Sequence, residues 1–185
     1  MFIIWAQVAL KSEKAAREAR ERMLATGDTS LQLEETEATL ITLVSVASSF
    51  EALRHEISHN VSPSPLATWE AERRGSADKD VLATLRLAFA LPDKEWEKRL
   101  KWLFDLRNKA VHPKWKSGGT LPHPSGLHST TQEFVEFSCE QGSKAADLLL
   151  DLLGDCLSNP VPDLAEWATG VTPAYEETRV FRGKE

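Results

Sequence analysis

Between Leu33 and Ser58 apolar side chains recur so densely that they cover much of a helix's circumference: Leu40, Ile41, Leu43, Val44, Val46, Ala47, Phe50, Leu53 and Ile57. A helix that is apolar on so many sides must lie at the centre of a bundle, with other helices packed around it. Glu51 falls on the same side as Leu40, Val44 and Ala47. A carboxylate aimed into an apolar region is costly unless a cation or hydrogen-bond donor meets it. The chain therefore has to supply one.

The other segments are read as helices around this one. From Phe2 to Ala25, Ile4, Val8, Ala15, Ala19 and Met23 recur on one side, with charge pairs such as Glu13–Arg17 at i,i+4 and a stop at Gly27-Asp28. That stripe is thin, which predicts a helix lying across the surface of the bundle or against a partner subunit. Asp78 or Asp80 caps a third helix carrying Val81, Leu82, Leu85, Leu87, Ala88 and Phe89. Leu91-Pro92-Asp93 breaks it and starts a fourth. A last strong helix is expected from Thr131 to Leu157, with Gly142 as a tolerated weak point. These patterns predict an all-α bundle of four to five helices over residues 1–158, needing no sheet. Residues 159–185 are expected as a partly packed or flexible tail that straps Trp167 and Phe181 onto it.

The 185 residues suffice for one domain with a proper core. Hydrophobic residues at 42% and charged residues at 27% are ordinary for a soluble globular protein. No run reaches membrane length, and Met1–Leu10 lacks the basic lead of a secretory signal. The expectation is a cytoplasmic protein without membrane association. Cys139 and Cys156 are far apart and have no paired metal-ligand spacing, which fits a reducing compartment. His55 and His59 have a chelating i,i+4 spacing but no evident third ligand, so they are read as surface residues at a helix end; no metal and no cofactor is expected.

The fourth helix carries the chemistry. Trp96, Leu100, Leu103, Phe104, Arg107 and Val111 share one face, with Arg107 near the middle of the apolar stripe. Glu51 and Arg107 are thus two opposite charges on apolar faces, and the economical arrangement joins them. Glu51 then either orients the arginine or pairs with it structurally. Pro113 ends the helix and leaves His112 at its C-terminus. An imidazole that exchanges protons near neutral pH, beside a permanent five-donor cation, suits phosphate chemistry. The plainer alternative is a structural arginine and a capping histidine.

Net charge is −6, yet Lys94–Lys116 holds eight basic residues against three acidic ones, so the rest of the chain carries −11. This basic island, including Lys109, Lys114 and Lys116, reads either as a solvated face of paired charges or as a local site for phosphates of RNA. A long irregular stretch follows from Lys114 to about Ser129, carrying His123 and His128 as loop residues.

Arg107-Asn108, three further residues and His112 resemble the Arg-x4-His signature of the HEPN superfamily (higher eukaryotes and prokaryotes nucleotide-binding domain), late in a long helix and followed by Pro113. The likeness spans roughly Leu31 to Leu157. It implies a HEPN-like bundle with a long loop after the motif helix, and a homodimer that brings two motifs to a shared cleft. It also implies metal-independent cleavage of RNA such as tRNA or mRNA, with Arg107, His112 and Asn108 catalytic and Glu51 supporting. A toxin or defence effector, restrained by an antitoxin or another defence-system partner, is the context that goes with it. The alternative within the same resemblance is a catalytically silent nucleotide-binding, RNA-binding or protein-interaction module.

Overall fold

A computed structural model describes residues 1–60, 77–89, 95–112 and 119–183. The chain is helical but for one minute hairpin among those residues. Helix α1 spans Phe2–Thr26 and α2 spans Leu31–Asn60; α3 is Ala77–Ala88 and α4 Glu95–Val111. Strands β1 (Leu121–Pro122) and β2 (Ser129–Thr130) pair antiparallel and lead into a short α5, Gln132–Glu136. Helix α6 runs Cys139–Ser158, and a 3-10 turn at Pro162–Leu164 precedes α7, Ala165–Val180. No described helix is long and apolar enough to cross a membrane.

Helices α1 and α2 form an antiparallel hairpin. Gly27 adopts the left-handed conformation (φ 72°) that closes α1, its N–H bonding Met23 O at 2.9 Å. The Asp28 carboxylate then accepts from both the backbone and the hydroxyl of Ser30, which turns the chain into α2 and holds that acid below the usual carboxylate range. At the far end Ser49 Oγ donates to Phe2 O at 3.0 Å, and the terminal amine meets Glu56.

The core gathers on α2, where Leu43, Val46, Ala47, Phe50, Leu53 and Ile57 are all buried. Against them pack Val81 and Leu85 of α3, Leu100 and Leu103 of α4, and Leu148, Leu149, Leu152 and Leu153 of α6. The central burial expected of α2 is what the structure shows.

Three expectations need correction. Helix α1 buries Phe2, Ala6, Ala9, Leu10, Ala16, Ala19 and Met23 against the bundle, while Ile4 and Val8 face outward. The packing face of α1 thus mixes small alanines with Phe2, Leu10 and Met23, and Ile4 and Val8 lie off it. The stretch after the motif helix is not irregular throughout, since β1 and β2 form a hairpin within it. The last long helix is interrupted: α5 ends at Phe137, and α6 starts afresh after Ser138. Gly142 is buried on α6, where a Cβ would stand 3.5 Å from the Thr39 hydroxyl, an ordinary contact.

The segment after Asn159 is mostly helix α7. Leu164, Ala168, Tyr175 and Thr178 are buried, and Val161 N–H bonds Ala88 O at 3.0 Å, tying this segment to the end of α3. Trp167 lies between the rings of Phe2 and Phe89, centroids 6.0 and 6.2 Å away, with its indole N–H on Glu56. Phe181 is half exposed.

Candidate functional site

Helices α2 and α4 bring the two stray charges together. Arg107 Nη2 donates to Glu51 Oε1 at 3.0 Å and to Oε2 at 3.2 Å. Its Nη1 donates to Asn108 Oδ1 at 3.0 Å, and its guanidinium carbon lies 5.8 Å from the centre of the Phe104 ring one turn earlier. The planar fork is therefore held from two sides and rests near an aromatic ring, an arrangement a lysine would not reproduce. Side-chain exposures of 24% for Arg107 and 35% for Glu51 place the pair at the rim of the bundle, within reach of solvent. Nη1 and Nη2 are engaged, and the Nε–H has no partner among the described residues.

His112 follows directly on the last residue of α4. Its backbone N–H still bonds Asn108 O at 2.9 Å, but the residue sits in a bend and is exposed. Its imidazole has no partner among the described residues. Along an ideal helix five residues correspond to about 140° of rotation and about 7.5 Å of rise. Arg107 and His112 therefore do not stack on one face. A phosphate that engages both has to lie at the end of α4 or between two copies of it.

The basic island is largely paired where it is described. Lys98 meets Glu95, Arg99 meets Asp151, Lys101 meets Asp105, and Lys109 meets Glu136 at 3.0 Å. Lys109 is thus tied to α5, and it has to release Glu136 before it can contact a phosphate of RNA. Lys114 and Lys116 lie outside the described residues.

Sequence reasoning missed a second polar cluster, about sixteen residues back along α2. Arg20 of α1 is buried. Its Nε and Nη2 grip Glu35 at 2.9 and 2.7 Å, and Nη1 reaches Glu140 at 2.6 Å. Glu35 Oε1 also accepts the Cys139 backbone N–H at 2.7 Å, so it serves as a cap for the first turn of α6. Glu35, Cys139 and Glu140 offer three donor atoms within 4.8 Å of one another. The Arg20 guanidinium already occupies those carboxylates, and burial pushes the Cys139 thiol up to about 12. A metal would have to displace a buried cation and deprotonate that thiol, so the cluster reads as a structural lock.

Beside it lie the two loop histidines. His123 is buried, and its ring stacks on His128 with centroids 4.8 Å apart. His123 Nδ1 lies 2.9 Å from Ser125 Oγ and 3.2 Å from the Ser125 backbone N–H, which donates to it. His128 Nε2 meets Gln32 Oε1, and Gln32 Nε2 donates to Thr130 Oγ1 at 2.7 Å, pinning the hairpin to α2. Both imidazoles are thus parts of the fold. The signal that could have found them was the polar start of α2, where Gln32 and Glu35 precede the apolar run.

Compared with protein-family models, with curated proteins and with solved structures, the chain matches none of them.

Proposed function

We propose that this protein is a metal-independent endoribonuclease of HEPN type, acting through Arg107 and His112 at a cleft between two copies of the chain. The reading is carried by one observation: a guanidinium fixed by Glu51 and Asn108 yet open to solvent, five residues before an exposed imidazole with no partner among the described residues.

In the proposed reaction His112 accepts the proton of a ribose 2′-OH. The 2′-oxygen attacks the adjacent phosphorus, and the P–O5′ bond breaks. The departing 5′-oxygen takes a proton from an imidazolium, leaving a 2′,3′-cyclic phosphate and a 5′-hydroxyl. Arg107 stabilises the charge gathering on the non-bridging oxygens, and Asn108 and Glu51 hold it in register. General acid–base catalysis supplies on the order of 10²–10⁴-fold, and a preorganised charge clamp adds a comparable factor. A second copy would set another Arg107 near the same phosphate and relieve the angular separation of arginine and histidine along α4.

The test is cleavage of a labelled tRNA or mRNA in EDTA by the wild type, Arg107→Ala and His112→Ala. Cutting by the wild type that vanishes in both variants, with unchanged helical spectra, supports the assignment. Persistent cutting by either pure variant would falsify it.

A second reading has its own support. The Glu51–Arg107 contact, in which Nη2 bonds both carboxylate oxygens, and the paired lysines of α4 also suit a silent module that binds RNA or a partner protein. Binding without cleavage by the wild type would favour it.

A further inference from the structure

On the side of α4 away from Arg107 lies an open cleft of about 800 Å³ between α4, α5 and the start of α6. Lys98, Lys101, Trp102, Asp105 and Lys109 fall at spacings of three and four on the α4 wall, and Glu136 and Gln141 stand opposite. Lys144 of α6 places its ammonium 4.1 Å from the centre of the Trp102 ring. Trp102 is partly buried and packs against the core, and its ring also meets the exposed Lys144 side chain. The Lys144 ammonium lies at the ring, while Lys98, Lys101 and Lys109 line the wall beside it, each paired with a carboxylate, Glu95, Asp105 and Glu136 respectively.

We propose that this cleft binds a nucleotide unit of single-stranded nucleic acid, its base stacked on Trp102 and its phosphates held by Lys101, Lys144 and Lys109. Base–aromatic stacking with flanking cations is the general means of holding a single strand without reading its sequence. Asp105, the partner of Lys101, is exposed, and an ion pair of that kind is weak enough to be exchanged for a phosphate, whereas Glu136, the partner of Lys109, keeps 20% of its side-chain exposure. Lys144 has the fitting geometry for the exchange: a base displaces its ammonium from the ring, and the ammonium moves to the adjoining phosphate. The site stands whether or not Arg107 and His112 cut RNA, because it lies on the opposite face of α4.

The experiment uses the full chain carrying His112→Ala, in EDTA, titrated with a fluorescein-labelled ten-residue oligoribonucleotide and followed by anisotropy. Trp102→Leu is expected to weaken binding about tenfold, as for removal of one stacked base. Because Trp102 also touches the core, the surface pair Lys101→Gln with Lys144→Gln is measured beside it. Each phosphate that these lysines no longer neutralise should reduce the slope of log affinity against log salt by about 0.7. Displacement of the oligomer by 5′-AMP in the parent, but not in the lysine variant, would show that one base with one phosphate suffices. Resistance to AMP with the same variant effects would assign the cleft to a strand. Unchanged affinity and salt slope in both variants, absence of saturable binding by the parent, or equal displacement by polyglutamate would each overturn the proposal; the last would point to an acidic protein partner.

Discussion

Arg107 Nη2 lies 3.0 and 3.2 Å from the two carboxylate oxygens of Glu51, joining α4 to α2 at a point where solvent still reaches both side chains. That exposure decides what the ion pair is worth. A pair of this kind contributes about 0.2–1 kcal/mol to stability, far too little to make it a main tie of the fold. Its consequence is orientation of the guanidinium.

Glu51→Gln is accordingly expected to lower the unfolding free energy in urea by less than about 1 kcal/mol. RNA cleavage under the proposed mechanism should fall much further, since a displacement of about 1 Å in a positioning contact can cost on the order of 10²-fold. Single-turnover cleavage beside a denaturation curve separates the two. Full activity in a stable Glu51→Gln protein would reduce the pair to packing.

Arg20 provides the opposite case. It grips Glu35, a carboxylate with no solvent access, and the two hold α1, α2 and the start of α6 together. Removing one member of a buried pair strands the other, at a cost of about 3–5 kcal/mol. Arg20→Ala should therefore destabilise the fold several times more than Arg107→Ala does. Matched urea curves for the two variants check the ordering, and equal effects would mean that water replaces the guanidinium in the Arg20 lock.

These two arginines also mark what the sequence could show. Arg107 and Glu51 each stood as a lone charge on a wide apolar stripe, so their meeting followed from the cost of burying either alone. Arg20 and Glu35 were hidden because α1 packs partly through alanines: with Ile4 and Val8 taken as the inner face, Arg20 and Glu13 fell among the solvated charges. Ala19 and Met23 of the expected stripe do lie inside, but Ile4 and Val8 do not, and the inner side is completed by Phe2, Ala6, Ala9, Leu10 and Ala16, whose alanines leave little hydrophobic contrast. The break at Phe137-Ser138 was invisible for a related reason, since apolar residues continue in helical spacing on both sides of it. The helix after Asn159 was obscured by Pro173, which α7 accommodates within its span.

His123 should make stability fall on mild acidification. Burial, the largest influence, holds its imidazole below the ordinary value of 6.5, while Glu35 opposes this and Arg20 and His128 reinforce it. Protons are then bound more readily by this imidazole in the unfolded chain than in the folded one. Its contribution is complete above about 6.5 and is lost as pH drops below that value. The bond from Ser125 N–H to Nδ1 would break on protonation as well. Thermal melts at about pH 7.5 and about pH 5.5, on either side of the imidazole's ordinary value, should differ more for the wild type than for His123→Gln. Identical pH dependence in the two proteins would assign the acid sensitivity to other groups.

Gly154 of α6 and Tyr175 of α7 yield a prediction whose sign reverses. A Cβ at position 154 would stand 2.7 Å from Tyr175 Oη, too close for either atom to remain, and that hydroxyl donates to Leu150 O at 2.8 Å. In an unencumbered helix Gly→Ala gains about 0.5–1 kcal/mol. Here it must push the phenol away and leave a buried hydroxyl without its acceptor, at about 1–3 kcal/mol. Gly154→Ala alone should therefore destabilise. In a Tyr175→Phe background the obstructing oxygen is gone, and the nearest remaining ring carbon lies 3.6 Å from the new methyl, an ordinary contact. The same Gly154→Ala change should then stabilise the protein. Urea titrations of the parent, both single variants and the double variant complete the cycle, and a coupling energy near zero would show that α7 shifts as a unit to admit the methyl group.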